Sequence, residues 1–398
     1  MKALLLYFLV ICSLSTLGQS WKQLSDFPSH ARDDAAAFVI GNKAYCGTGV
    51  VSWFNTQKDF YSYDFSSDSW TAVAPLINEA SRQYANGFAS DSLGYVFGGF
   101  DSTFLNDLWA YNPIFNHWTI QSQLPAAGRG GAASFVIGNS CYIIGGKTDS
   151  RNAIKEVWEY NMLSGQWQQK KDLPFGNRWR SAAVSENNRG YLIGGMDDSL
   201  HIRRELYEYN PQEDSWIHIS DFPNGGINYA QLYSIKNKLY LFGGEDNLNN
   251  YSNTLWEYDI NQSNWRELDS LPSNGRRGGV GFQKGNAIYY TTGKLEDGSR
   301  LKESWTYAVI SYTNSNSSSD ELIQVYPNPF AEEIRVFYEP NTKKACKFSI
   351  YTLEGVCVKN GVIDKPITRI GLSNLLNGLY IIVFEEQGIR YSKKIVKR

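Results

Sequence analysis

The sequence predicts an all-β protein in which one short supersecondary unit is repeated six times. Tryptophans recur at intervals of 49, 48, 49, 49 and 49 residues, at Trp21, Trp70, Trp118, Trp167, Trp216 and Trp265. A fixed period of this length indicates copies of one unit that bury their faces against each other.

Two further marks repeat with the tryptophans. A tyrosine lies seven residues before five of them, at Tyr63, Tyr111, Tyr160, Tyr209 and Tyr258, and Tyr307 has no tryptophan after it. Upstream of these lie the doublets Gly98-Gly99, Gly145-Gly146, Gly194-Gly195 and Gly243-Gly244, with Thr48-Gly49 and Thr292-Gly293 as degenerate forms. Each doublet has a tyrosine three residues before it.

Over residues 21 to about 310 this ordered set resembles the kelch repeat. The resemblance implies a β-propeller with one four-stranded blade per repeat. The pattern inside residues 128–167 agrees, because four short apolar or alternating stretches are separated by turn residues. Small residues, such as Ala132-Ala133 and Ala182-Ala183, fall on the first strand, which we expect nearest the channel axis.

The chain ends predict how the ring closes. Trp21 has no tyrosine before it and Tyr307 has no tryptophan after it, so residues 21–25 are expected to supply the outer strand of the last blade. The prediction is a six-bladed kelch β-propeller closed by the N-terminal strand. Closure of this kind removes exposed sheet edges.

The expected domain boundaries follow from composition. Residues 1–18 are typical of a secretory signal peptide, with Lys2 followed by an apolar stretch too short to span a bilayer. Ile11 before Cys12 disfavours a lipoprotein anchor. Residues 19–311 form the predicted propeller and residues 312–322 a polar linker. We expect no transmembrane segment once the signal is removed.

Residues 323–398 resemble the type A C-terminal sorting domain of type 9 secretion, a small β-sandwich. The matching parts are the opening Tyr326-Pro327-Asn328-Pro329-Phe330, the Leu353-Glu354-Gly355 turn, the stretch around Asn377-Gly378 and the basic apolar end. The resemblance implies engagement of the type 9 machinery and export to the cell surface or the medium. An ordinary adhesion module is the alternative.

Composition excludes some function classes. The formal net charge is −2 without a long charge run, so the electrostatic footprint of nucleic-acid binding is missing. The cysteines outside the signal show no disulfide framework, and buried free thiols or disulfides both stay open. We expect a monomer.

Five of the six loops that lead into a first strand carry an arginine at an equivalent position: Arg32, Arg82, Arg129, Arg178 and Arg276. The fifth loop has Ile227 instead. We call this position the arginine column. Kelch proteins that bind a partner often use the arginine column to bind acidic groups of that partner, because a guanidinium pairs well with a carboxylate. The alternative is a scaffold role, in which these arginines bind backbone carbonyls or pair with Asp33, Asp34 or Glu79.

The next two positions differ between blades, so the repeat itself does not demand them. They hold Asp33, Asp34, Gln83, Tyr84, Trp179, Arg180, Asn228, Tyr229 and Arg277. We expect these residues to form a ligand-binding surface at the mouth of the channel, with Trp179 as the favoured site. Trp53 and Phe54 form a second aromatic candidate.

No metal or cofactor is expected. Asp101, Asp149, Asp197, Asp246 and Asp297 follow the doublets, but their spacing matches no known calcium motif and aspartate is a common turn residue. The four histidines, His30, His117, His201 and His218, occupy non-equivalent positions and offer no copper site of the galactose-oxidase kind.

The sequence therefore predicts an exported recognition module that binds a glycan or an acidic protein ligand. The alternative is an enzyme, since the chain is similar in blade number and export to bacterial sialic acid mutarotases. That chemistry needs an acid or base near the ring oxygen and a cation for the sugar carboxylate. Arg178 or Arg82, with Asp33, Asp34 or Glu79, would supply both.

Overall fold

The structure is a computed structural model that describes residues 21–77, 80–309, 323–338, 346–353, 355–363, 365, 367–386 and 389–398. It divides into two compact units, Met1–Ile310 and Ser311–Arg398. The expected signal peptide, the expected linker and Glu79 lie outside the described residues. Within the described residues, no helix has the length and apolar character needed to cross a membrane.

The first unit consists of six four-stranded antiparallel sheets, which we number as blades 1–6. Blade 1 contains β2 (Ala36–Ile40), β3 (Lys43–Gly47), β4 (Phe60–Asp64) and β5 (Ser69–Val73). Blade 2 contains β6 (Asn86–Ala89), β7 (Gly94–Phe97), β10 (Leu108–Asn112) and β11 (His117–Ile120), with the short pair β8 (Phe100–Asp101) and β9 (Thr103–Phe104) between them. Blade 3 contains β12 (Ala133–Ile137), β13 (Ser140–Ile144), β14 (Val157–Asn161) and β15 (Gln166–Gln169).

The other three blades follow the same order. Blade 4 contains β16 (Ala182–Glu186), β17 (Arg189–Ile193), β18 (Glu205–Asn210) and β19 (Ser215–Asp221). Blade 5 contains β20 (Gln231–Ser234), β21 (Lys238–Phe242), β22 (Thr254–Asp259) and β23 (Asn264–Ser270). Blade 6 contains β24 (Val280–Lys284), β25 (Ala287–Thr291) and β26 (Ser304–Ala308), completed by β1 (Trp21–Leu24).

The last blade is built from both ends of the propeller segment. β1 pairs antiparallel with β26, with Trp21 opposite Tyr307 and Leu24 opposite Ser304. The inner strands β2, β6, β12, β16, β20 and β24 contact one another in that order, and β24 contacts β2. Blades 1 and 4, 2 and 5, and 3 and 6 therefore lie on opposite sides of the channel.

The repeated tyrosine and tryptophan join strands and blades. In blade 1, Tyr63 lies opposite Trp70 across β4 and β5, with ring centroids 4.9 Å apart. The Trp70 indole N–H donates to the carbonyl of Ser25, at the end of the outer strand of blade 6. Trp21, Trp118 and Trp167 donate in the same way to the preceding blade. Trp265 donates instead to the Ser220 hydroxyl, and among the described residues the Trp216 indole N–H has no partner. The repeat is thus explained by aromatic packing, with a tryptophan hydrogen bond at five of the six blade boundaries.

The doublets occupy two different left-handed conformations. The first residue has φ near 60°, which Thr48 (60°) and Thr292 (65°) also adopt. The second residue has φ between 83° and 111°, and it is glycine in all six blades. Residues with a side chain adopt φ near 60° at some cost but rarely adopt φ between 83° and 111°. This explains why Thr-Gly replaces the Gly-Gly doublet in two blades and Gly-Thr does not occur.

In five blades the buried loop arginine forms an ion pair with a partly exposed acid at the start of the third strand. The pairs and their closest N–O distances are Arg32 with Asp59 (2.5 Å), Arg82 with Asp107 (2.7 Å), Arg129 with Glu156 (2.7 Å), Arg178 with Glu205 (3.7 Å) and Arg276 with Glu303 (2.9 Å). Arg32 and Arg82 also donate to the carbonyl of the first doublet residue. Each pair therefore fastens the incoming loop to its own blade.

Blade 5 lacks both partners of this pair. Ile227 stands where the other blades have arginine, and Thr254, at the start of β22, stands where they have the acid. Losing the two together is physically reasonable, because one buried charge without its partner is strongly destabilising.

A double-mutant cycle checks this explanation. We expect Ile227→Arg and Thr254→Glu each to destabilise the propeller, and the double variant to be more stable than the sum of the single effects by about 1–3 kcal/mol. Urea denaturation followed by tryptophan fluorescence measures the difference. Strictly additive effects would show that the two positions do not form the pair seen in the other blades.

The second unit contains two small sheets. One comprises β27 (Ile323–Tyr326), β28 (Glu333–Tyr338) and β31 (Ile367–Gly371), and the other comprises β29 (Cys346–Tyr351), β30 (Cys357–Ile363), β32 (Gly378–Glu386) and β33 (Ile389–Lys397). Their shared core includes Ile334, Phe348 and Ile382. The four cysteines among the described residues are free, with Cys357 exposed and the others buried.

Candidate functional site

Six residues form a closed ring of hydrogen bonds around the channel. We call these residues the mouth ring. Each lies two residues after the arginine, or after Ile227 in blade 5, and they are Asp34, Tyr84, Gly131, Arg180, Tyr229 and Gly278. The backbone N–H of each donates to the carbonyl of the mouth-ring residue in the preceding blade, at 2.6–3.4 Å. All six have φ between 54° and 66°, so the ring requires the left-handed conformation even where the side chain is large.

The mouth ring pairs its side chains across the channel. Arg180 of blade 4 reaches Asp34 of blade 1, with Nη1 2.8 Å from Oδ1. Tyr84 and Tyr229, from opposite blades 2 and 5, hold the guanidinium between them at 3.6 Å and 4.1 Å from their ring centroids. At Gly131 an added Cβ would lie 2.9 Å from Arg180 Cδ, so this glycine leaves room for the bridge.

The Arg180–Asp34 bridge lies deep in the mouth and crosses the channel. The two side chains are 9% and 4% exposed. Burial raises the pKa of Asp34 to about 7, while the positive charge of Arg180 opposes that rise. Beneath the bridge, the channel encloses about 250 Å³ and is lined mainly by alanine, glycine and serine of the inner strands.

The position before each mouth-ring residue pairs with the residue that follows the doublet. The two residues exchange backbone hydrogen bonds in each blade, as between Trp179 and Met196 or between Asn228 and Glu245. This pairing brings a further set of side chains to the mouth: Val50, Phe100, Lys147, Met196, Glu245 and Lys294. The only mark of this set in the sequence is its fixed place directly after the doublet.

Glu245 and Arg277 lie at the centre of a cluster at the edge of the mouth. Arg277 Nη1 is 2.9 Å from Glu245 Oε2, and Arg277 Nε donates to the Tyr251 hydroxyl at 2.7 Å. The Arg277 guanidinium also covers the Tyr229 ring, 4.1 Å from its centroid. Burial raises the pKa of Glu245, and the nearby Arg277 charge acts in the opposite direction. We call Trp179, Asn228, Tyr229, Glu245, Tyr251 and Arg277 the mouth cluster.

Several buried polar atoms at the mouth lack a hydrogen-bond partner among the residues that the structure describes. They include Trp179 Nε1, Asn228 Nδ2 and Oδ1, and Gln83 Oε1. Asn228 is 1% exposed. Buried polar groups are nearly always paired, and leaving one unpaired costs about 1–3 kcal/mol. The cluster can therefore offer an amide, an indole N–H, a cation and a carboxyl to a polar ligand.

The predicted site residues separate into two groups. Arg32, Arg82, Arg129, Arg178 and Arg276 are buried in the ion pairs of their own blades rather than directed at the mouth. These contacts favour the scaffold alternative, although the acids are Asp59, Asp107, Glu156, Glu205 and Glu303 rather than the ones expected. Asp33, Asp34, Tyr84, Trp179, Arg180, Tyr229 and Arg277 do lie at the mouth, where Arg300 pairs with Asp33.

The acids after the doublets mostly shape turns. Asp197 accepts the backbone N–H groups of Ser199 and His201, and Asp246 accepts those of Leu248 and Asn250. Asp297 accepts the N–H of Ser299. These contacts are typical of aspartate in tight loops.

Comparison with known proteins identifies both parts of the chain. Residues 131–323 match the KLHDC2/KLHL20/DRC7 Kelch-repeats domain, and residues 95–125 match the Kelch motif. Residues 324–398 match the secretion system C-terminal sorting domain. This sorting domain directs export by type 9 secretion, to the cell surface or the medium.

Curated relatives cover only part of the propeller. The N-acetylneuraminate epimerase of Pasteurella multocida is 31% identical over 132 residues, which are 31% of this chain and 33% of that protein. N-acetylneuraminate epimerase 1 of Escherichia coli O6:H1 is 25% identical over 167 residues, 32% of this chain and 45% of that protein. The chain thus spans less than half the length of these relatives.

A solved structure, that of YjhT, shares the propeller fold. It superposes with a TM-score of 0.62 at 19% identity and covers 71% of this chain and 95% of its own. Taken together, the blades, the repeat matches and the tail show that the chain is a kelch-repeat β-propeller protein that carries a C-terminal sorting domain of type 9 secretion.

Proposed function

We propose that the propeller binds an acidic sugar in the mouth cluster, with Arg277 receiving the sugar carboxylate. The supporting observation is the cluster itself. Arg277 stays 19% exposed, while the five loop arginines are at most 4% exposed. Beside it, the buried amide atoms of Asn228 have no hydrogen-bond partner within the described part of the chain. A sugar presents a carboxylate and several hydroxyls that match these groups.

Charge at the mouth favours an anion. Three basic side chains there are paired with acids, namely Arg180 with Asp34, Arg277 with Glu245 and Arg300 with Asp33. Lys147 and Lys294 take part in none of the ion pairs formed among the described residues. Their charges act in a site that is partly shielded from water, where electrostatic attraction is stronger than at an open surface. The aromatic face of Trp179 would cover the apolar side of the ring, since the Tyr229 ring is already covered by Arg180 and Arg277.

The relatives add weight to the choice of ligand. The partial matches are proteins named for N-acetylneuraminate, which is an acidic sugar. This similarity supports an acidic sugar as the ligand of the present chain. An acidic peptide is the competing ligand class, and it offers a carboxylate without the ring hydroxyls.

A binding experiment with two matched ligands isolates the carboxylate. We expect the full chain to bind N-acetylneuraminic acid at least tenfold more tightly than its methyl ester in calorimetric titration, because the ester removes the charge. Arg277→Met should abolish this preference and leave the ester affinity unchanged. Arg266→Met, at the exposed outer edge of blade 5, is the control and should behave as wild type. Equal affinities for acid and ester would refute the proposal.

A second candidate function is interconversion of the sugar anomers, favoured by the raised pKa of Glu245. A protonated Glu245 would donate its proton to the ring oxygen as the ring C–O bond breaks, while the anomeric hydroxyl loses its proton to water. Reclosure on the other face of the carbonyl reverses both transfers and regenerates the acid.

Exchange spectroscopy tests this activity. We expect the full chain to accelerate exchange between the anomer signals of N-acetylneuraminic acid in NMR, and Glu245→Gln to bind the sugar but reduce the rate about 100-fold or more. Binding without any acceleration would make the propeller a recognition module only.

A further inference from the structure

A short loop of blade 1 exposes two large aromatic side chains next to the channel mouth. The 3₁₀ turn Ser52–Phe54 lies between β3 and β4. Trp53 is 96% exposed and Phe54 is 82% exposed. Among the described residues, Trp53 is the most exposed large apolar side chain. Exposed aromatics that neighbour one another often mark a binding surface.

The backbone holds these side chains outward at a cost. Trp53 has φ 60° and ψ 32°, and Phe54 has φ 55°. For residues with a Cβ this region costs roughly 1–2 kcal/mol each. The equivalent turns of blades 4, 5 and 6 each contain one left-handed residue, Leu200, Asn249 and Gly298. Phe54 is the equivalent of these residues in blade 1, so Trp53 is a second left-handed residue that the turn does not require. Backbone strain of this kind tends to persist at functional sites.

The base of the loop belongs to the mouth. Val50 exchanges backbone hydrogen bonds with Asp33 and pairs with Thr56 at the other end of the loop. Gln57 in turn pairs with Arg82. The two aromatics thus project from the rim of the mouth, in the blade next to that of Arg277.

The closed channel limits where a long ligand can go. The Arg180–Asp34 bridge crosses the mouth, so an oligosaccharide with its terminal unit in the mouth cluster must extend outward over the rim. The C–H face of a pyranose ring packs well on an aromatic face. A protein partner suits the patch less, because two aromatic side chains bury about 150–250 Å² each, well short of the roughly 800 Å² per partner of a stable interface.

We propose that Trp53 and Phe54 form a second sugar subsite, which stacks a following unit of an acidic oligosaccharide whose terminal unit occupies the mouth cluster. This inference rests on the proposed function, since it needs the acidic sugar at Arg277. It extends the ligand class from a single acidic sugar to a longer acidic glycan.

The test compares a monosaccharide with a longer glycan. N-acetylneuraminic acid and a sialylated trisaccharide are titrated into the full chain, the Trp53→Ala/Phe54→Ala variant and a control, Ile114→Ala/Phe115→Ala, which removes exposed apolar side chains from the outer turn of blade 2. We expect wild type and the control to bind the trisaccharide about tenfold more tightly than the monosaccharide. The Trp53→Ala/Phe54→Ala variant should lose that gain and keep the monosaccharide affinity.

The outcomes separate the two proposals. Binding of the monosaccharide with no gain for the trisaccharide, or a gain that survives loss of both aromatics, overturns the second subsite and leaves the mouth cluster standing. If wild type binds neither sugar, the proposed function fails and the second subsite fails with it. A blue shift of tryptophan emission on trisaccharide binding, lost in Trp53→Phe, is expected as an independent sign of stacking.

Discussion

Asp107→Ala is expected to destabilise the propeller by about 3–5 kcal/mol, because it leaves the buried Arg82 guanidinium without its counter-charge. Arg82 is 1% exposed, and its Nη1 and Nη2 atoms lie 2.7 Å and 2.9 Å from the two Asp107 oxygens. Asp107 also accepts the indole N–H of Trp109 at 2.6 Å. The substitution therefore leaves both a buried cation and a buried donor unpaired.

Urea denaturation of the full chain, followed by tryptophan fluorescence, measures this effect. The matched control is Asp172→Ala, since Asp172 pairs with Lys155 at 3.4 Å on the surface and such pairs contribute at most about 1 kcal/mol. A loss below 1 kcal/mol for Asp107→Ala would mean that the arginine column does not hold the blades, and would return those arginines to the list of ligand-binding candidates.

Arg180→Met is expected to show a pH-dependent loss of stability. Asp34 in the folded protein has a pKa of about 7, raised by burial, so it is mostly protonated at pH 5 and ionised at pH 8.5. The folded state binds this proton more tightly than the unfolded chain, so stability falls as pH rises toward the folded pKa of Asp34. Arg180 limits that fall, because its charge lowers the pKa of Asp34.

Without Arg180 the pKa of Asp34 should rise further. The variant should then match or exceed wild-type stability at pH 5, where the carboxyl is neutral and a buried cation has been removed. At pH 8.5 the variant should be less stable than wild type by about 2 kcal/mol. Between pH 7 and the higher pKa of Asp34 in the variant, each pH unit increases this difference in the free energy of unfolding by about 1.4 kcal/mol. Thermal unfolding at the two pH values gives the difference. An equal loss at both values would show that the bridge stabilises by packing alone.

The fold could be predicted from the sequence because the blades repeat. The site could be predicted only in part, because its residues differ from blade to blade. Tryptophans, tyrosines and doublets recur because every blade boundary needs the same packing, so one period identifies six blades. The sequence does not reveal the partners of the loop arginines. Asp59 and Glu156 each lie 27 residues after their arginine, and only the fold places the two side chains in contact. The Arg180–Asp34 contact joins residues 146 apart on opposite blades.

Glu245 illustrates a different limit. It is the one acid in a set whose other members are Val50, Phe100, Lys147, Met196 and Lys294, so no repetition marks it. Its raised pKa and its contact with Arg277 arise only once the mouth is assembled. Residues that carry recognition in a propeller are the ones that the repeat leaves free to vary, and sequence periodicity cannot rank them.

A crystal structure of the full chain with N-acetylneuraminic acid tests the central claim most directly. The account predicts a sugar above the Arg180–Asp34 bridge, with its carboxylate on Arg277, hydroxyl or acetamido groups on Asn228, and the Trp179 ring against one face. Sugar bound elsewhere on the propeller, or an empty mouth cluster at a saturating ligand concentration, would contradict it.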